Sequence, residues 1–123
     1  MNFNLAGAQF RPAEAQAAML DLAPGQTVLL VPEPTNPFDP DAIKVVTMDD
    51  NDQPAHHIGY VPRKLTDDVR EFQANYPQAF CALTVPNGRF STFTLFEDAD
   101  ALDEWEAAQA DTDSSDFDDD DAA

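Results

Sequence analysis

One cysteine, four glycines and a final stretch without a single cation are what this chain has least of. Cys81 alone cannot form an internal disulfide, which points to a reducing compartment. Its setting in Ala79-Phe80-Cys81-Ala82-Leu83 reads as that of a small buried hydrophobe. So few glycines leave no Gly-rich phosphate-binding loop, and no serine sits in a nucleophile-elbow pattern. Metal ligands are equally scarce. His56 and His57 are adjacent, so on a strand they face opposite sides, and no Cys/His cluster completes a set. Asp49, Asp50 and Asp52 share one polar turn, but no glutamate stands at calcium-loop spacing. Neither enzyme activity nor a metal or cofactor is expected. No run approaches membrane-spanning length and no basic start precedes an apolar segment. A soluble, cytoplasmic protein without membrane contact is therefore expected.

Charge is present in quantity but unevenly placed. Residues 1–95 carry six Lys/Arg against eleven Asp/Glu, whereas residues 96–123 carry thirteen acids and no cation. The chain thus reads as a mildly acidic domain over 1–96 followed by an acidic tail over 97–123. Within the tail, 99–108 has the composition of a marginal helix with Leu102 and Trp105 on one side. Residues 111–123 are too poor in apolar side chains to order themselves.

In the domain, residues 2–10 read as a first strand and Ala13–Leu22, opened by Pro12, as a helix. Thr27–Val31, Ala42–Met48 and His57–Val61 read as strands, and Leu65–Phe72 as a short helix with Thr66 as N-cap. Phe80–Val85 and Phe90–Phe96 flank Pro86-Asn87-Gly88-Arg89, a hairpin signal. Six strands and two short helices without regular alternation predict a mostly β (α+β) barrel or sandwich.

Two stretches stand out. Glu33-Pro34-Thr35-Asn36-Pro37-Phe38-Asp39-Pro40-Asp41-Ala42-Ile43-Lys44-Val45 is a loop held extended by three prolines and running into a strand. Ile58-Gly59-Tyr60-Val61-Pro62-Arg63 is a strand ending in a cation. Phe38 on a braced loop offers a stacking face for a nucleobase, and Asp39 an acceptor for a ligand hydroxyl. Arg63 and Lys64 stand where a phosphate could be met. The residue types equally allow Phe38 to pack inward, Asp39 to cap the turn and Arg63 to be a solvated helix-start cation.

With Gly7-Ala8-Gln9-Phe10 before them, these two stretches resemble a HIRAN domain over roughly residues 3–96. The resemblance implies a small six-stranded β-barrel of the OB/SH3-like kind, found in fork-remodelling helicases and in stand-alone bacterial and phage-type proteins. It further implies binding of single-stranded DNA at a free 3′ end, in replication, recombination or repair. Phe10 and Phe38 would then clamp the terminal base, and Asp39 would accept the 3′-hydroxyl with help from backbone around Phe38. Tyr60 and Arg63 would line the phosphate path. Gln9 stands where helicase-linked members carry Arg, and Arg11 is the nearest replacement. The segment Ser115–Asp121 is similar to the acidic tips with which single-stranded-DNA-binding proteins recruit partners, so residues 97–123 are a candidate protein-binding segment. The alternative reading is an acidic interaction module that meets a basic nucleic-acid enzyme, or a phage structural component.

Overall fold

A computed structural model of the chain describes residues 1–88 and 90–109. Its strands are β1 (Asn2–Asn4), β2 (Thr27–Pro32), β3 (Ile43–Met48), β4 (Pro54–Tyr60), β5 (Phe80–Val85) and β6 (Thr92–Phe96). Its α-helices are α1 (Ala13–Leu20), α2 (Thr66–Asn75) and α3 (99–109), with 3-10 turns at Ala8–Phe10 and Arg63–Leu65. The strands form one antiparallel sheet in the order β1-β6-β5-β2-β3-β4, curled into a half-barrel of the OB-like kind. The six strands expected from the sequence are all present. Among the described residues the α-helices number three, because 99–109 is helical where a marginal helix was expected. The Trp105 ring meets the Phe96 ring edge-on with centroids 6.1 Å apart. Arg89 and the acidic stretch 111–123 lie outside the described residues.

Three boundaries differ from the sequence expectation for identifiable reasons. The first strand stops at Asn4 rather than continuing to residue 10. Gly7 adopts φ +72°, a left-handed conformation that turns the chain into the 3-10 turn. The last hairpin strand begins at Thr92, because the Ser91 hydroxyl donates to the Gly88 carbonyl (2.6 Å) and accepts from the Asn87 amide (2.8 Å). Thr66 is the first residue of α2 rather than its cap, and its hydroxyl donates back to the Arg63 carbonyl oxygen (3.1 Å).

The core lies inside the curl. Phe93, Val45, Ile43, Ile58, Leu83 and Val69 are essentially inaccessible, and Cys81 is buried among them. Burial pushes the Cys81 thiol above its ordinary range, as desolvation of a thiolate requires. It is the packed small hydrophobe its sequence setting suggested.

Closure of the curl bears directly on the site. Beyond β1, Ala6 and Tyr60 exchange two backbone hydrogen bonds, Ala6 N–H to Tyr60 O (2.8 Å) and Tyr60 N–H to Ala6 O (2.9 Å). One bridge thereby joins the two ends of the sheet. Gly59 permits this approach, since a Cβ there would lie 3.1 Å from Ala6 O and 3.2 Å from Leu5 Cβ. A register shift between Val45/Gly59 and Val46/His57 leaves Ile58 as an extra residue in β4, bending the strand toward the bridge. Gly59→Val is expected to destabilise the fold by about 1–3 kcal/mol, as overpacking against a hydrogen-bonded backbone does. Urea unfolding of the variant measures this; an unchanged midpoint would show that the closure tolerates a side chain.

Candidate functional site

The loop from Glu33 to Ala42 is built by its own side chains. Glu33 N–H donates to Ala42 O (2.9 Å) at its base, and Ala42 N–H donates to Asp39 O (3.1 Å). Asn36 organises the centre. Its Oδ1 accepts from the amides of Phe38 (2.8 Å) and Asp39 (3.1 Å), while its Nδ2 donates to Glu33 Oε1 (2.8 Å). The Asp41 amide donates to Asp39 Oδ1 (3.0 Å). Such side-chain-to-backbone bonds are the means by which Asn and Asp stabilise turns.

Three ion pairs then fasten this loop to the body, and each uses a different element. Lys44 of β3 lies 4.0 Å from Glu33, Arg63 of the second 3-10 turn 3.6 Å from Asp39, and Arg70 of α2 3.1 Å from Asp41. A second guanidinium nitrogen of Arg70 donates to the Asp41 carbonyl oxygen (3.0 Å). Exposed pairs contribute little stability one at a time, but three from three directions restrict how the loop can lean.

Between this loop and the end of β4 lies a cavity of about 300 Å³, bordered by Asn36, Phe38, Asp39, Tyr60, Val61 and Arg63, with Ala6 and Ala42 completing it. Phe38 does not pack inward: it is 89% exposed at the rim. The Asp39 side chain is largely buried, whereas that of Arg63 is 81% exposed. The Tyr60 hydroxyl donates to Glu33 Oε1 (2.9 Å). Burial, then the bond to Glu33 and its charge, raise the Tyr60 phenol above its ordinary range. For Glu33, burial pulls upward, but hydrogen bonds from Tyr60 and Asn36 and the charges of Lys44 and His57 outweigh it. Its carboxyl is held below the usual range.

Of the residues singled out from the sequence, Phe38, Asp39, Tyr60 and Arg63 therefore meet at one cavity. The other four do not border it. Phe10, on the first 3-10 turn, is 82% exposed, and Gln9 and Lys64 are exposed beside it and beside Arg63 in sequence. Arg11 is not on a strand with Gln9. Its Nε donates to the His57 carbonyl oxygen (2.8 Å), which ties the first 3-10 turn to β4. His57 packs its ring edge-on against Tyr60, centroids 4.7 Å apart, and its buried Nε2 has no hydrogen-bond partner among the described residues. Burial and the Arg11 charge hold this imidazole below its ordinary range. Asn36 and Glu33 were passed over as site residues although both lie in the quoted motif. Asn before Pro-x-Asp is the sequence signature of the turn that Asn36 builds.

The HIRAN domain family model matches residues 1–85, which hold both motif stretches and five of the six strands. The chain belongs to the HIRAN domain family. Among solved structures, this HIRAN domain is similar to a protein from Lactobacillus plantarum, with a TM-score of 0.61 and 24% identity over 76% of this chain and 87% of that one. It is also similar to the HIRAN domain of human HLTF, with a TM-score of 0.53 and 17% identity over 85% of this chain and 81% of that one. At these identities the likeness establishes the fold. No curated protein matches the chain. Among the described residues no His/Cys/Asp/Glu group is disposed to hold a metal ion, and no helix is long and apolar enough to cross a membrane.

Proposed function

We propose that this HIRAN domain binds the 3′ end of single-stranded DNA at the cavity between the 33–42 loop and β4, as part of replication, recombination or repair. The observation that carries the reading is Phe38: a large ring left 89% exposed on a loop pinned by seven internal hydrogen bonds and three ion pairs. An apolar ring carried in water on a braced loop is a platform whose backbone ordering cost has been met before a ligand arrives. A terminal base stacks on it, with the exposed Phe10 of the first 3-10 turn as the second face. Asp39, at the cavity wall, accepts the terminal hydroxyl, and the exposed Arg63, with Lys64 beside it, meets the phosphate that precedes it. In this reading residues 1–96 carry binding, and the acidic segment 97–123 is the part available to a protein partner.

A fluorescence titration with oligonucleotides of one sequence ending in a 3′-hydroxyl or a 3′-phosphate tests the assignment. A carboxylate at the end of the strand repels a second anion, so the hydroxyl form is expected to bind about tenfold or more tightly, the value of one good charged hydrogen bond. Equal affinities would remove the end-recognition claim.

A further inference from the structure

Glu33 does not border the cavity, yet it holds both of its walls. One carboxylate oxygen, Oε1, accepts from the Tyr60 hydroxyl on the β4 side (2.9 Å) and from Asn36 Nδ2 on the loop side (2.8 Å). Asn36 in turn fixes the amides of Phe38 and Asp39. On the opposite wall, Tyr60 is anchored by its two backbone bonds to Ala6, which also borders the cavity. One atom, Glu33 Oε1, thus links the loop that carries the ring platform to Tyr60 on the β4 wall, beside the Arg63–Asp39 ion pair that also crosses the cavity. Bonds to a charged acceptor are about twice as strong as neutral ones, and this acceptor is three-quarters shielded from water.

We propose that Glu33 is the positioning residue of the DNA-end pocket, setting through Tyr60 and Asn36 the distance at which Phe38 and Asp39 face β4. Tyr60 accordingly serves as a strut between Glu33 and the barrel rather than as a phosphate contact. The inference rests on the end-binding reading for its functional consequence, but its structural content can be tested without DNA.

The test uses the full chain with Glu33→Ala, Glu33→Gln and Tyr60→Phe. In Glu33→Ala both donors lose their acceptor, and affinity for the 3′-hydroxyl oligonucleotide is expected to fall about tenfold. Affinity for the 3′-phosphate form should hardly move. Glu33→Gln keeps a carbonyl oxygen able to accept both bonds and is expected to restore the hydroxyl preference to within about twofold. Tyr60→Phe keeps the ring and loses one donor, so it should sit between the two; it serves as well should Glu33→Ala fail to fold. Amide exchange followed by NMR supplies the second readout. The Phe38 and Asp39 amides should exchange about tenfold faster in Glu33→Ala and at the native rate in Glu33→Gln, with no oligonucleotide present. Unchanged exchange in Glu33→Ala, or a full hydroxyl preference in both Glu33→Ala and Tyr60→Phe, overturns the proposal. A wild-type chain with no end preference refutes the end-binding reading alone, and the exchange measurement still decides the role of Glu33.

Discussion

Phe38→Ala is expected to leave the melting temperature unchanged and to weaken binding of a 3′-hydroxyl oligonucleotide by about 1–3 kcal/mol, the worth of one base stacked on one ring. The separation of the two effects follows from exposure. A side chain with 89% of its surface in water contributes almost nothing to the core, so its removal costs the ligand and not the fold. Phe38→Tyr, which keeps the face, should bind like the native chain. Measuring Phe10→Ala in parallel distinguishes a two-sided clamp from a single platform: comparable losses, smaller than additive when combined, mean that both rings hold one base. Wild-type affinity in Phe38→Ala would sink the platform.

The opposite separation is expected at Phe93. Its ring is fully buried and stacks on Phe3 with centroids 6.0 Å apart, at a point where β6 pairs with both β1 and β5. Phe93→Ala should cost about 3–5 kcal/mol, since the cavity it leaves is walled by strands that cannot collapse inward. Against a native stability of about 5–15 kcal/mol for a domain, much of the population would unfold at physiological temperature. Urea titration with an unchanged slope and a large fall in midpoint is the expected signature. A loss below about 1 kcal/mol would mean that the strands do close around the space, contrary to the packing described.

These two phenylalanines also show what was legible in the sequence. The strand containing Phe93 lies in a β-branched and aromatic run after an Asn-Gly turn, and β2, β3 and β5 were readable to within a residue because each is a mainly apolar, β-branched-rich run between turn residues. That Phe38 and Asp39 stand on a loop was readable because three prolines forbid that segment from entering helix or sheet. What pattern could not supply is pairing at a distance. The Tyr60–Glu33 bond spans 27 positions and the Arg70–Asp41 pair 29, and no local propensity distinguishes these residues from solvated ones. The first strand was overextended for a related reason. Phe3 and Leu5 alternate as a strand should, and the left-handed turn at Gly7 is one of several conformations glycine allows.

Arg11 has one more consequence. A sheet that stops at β4 would ordinarily present a row of unpaired peptide groups on which another chain could add a strand. Here α1 lies against β4, the Arg11 guanidinium occupies the His57 carbonyl, and Ala6 takes both peptide groups of Tyr60. Ala6 and Tyr60, which border the cavity, thereby blunt the β4 edge together with Arg11 and α1, which do not border it. Protection of this edge against strand-by-strand addition is, in this small domain, in part a by-product of how the sheet is closed beside the cavity.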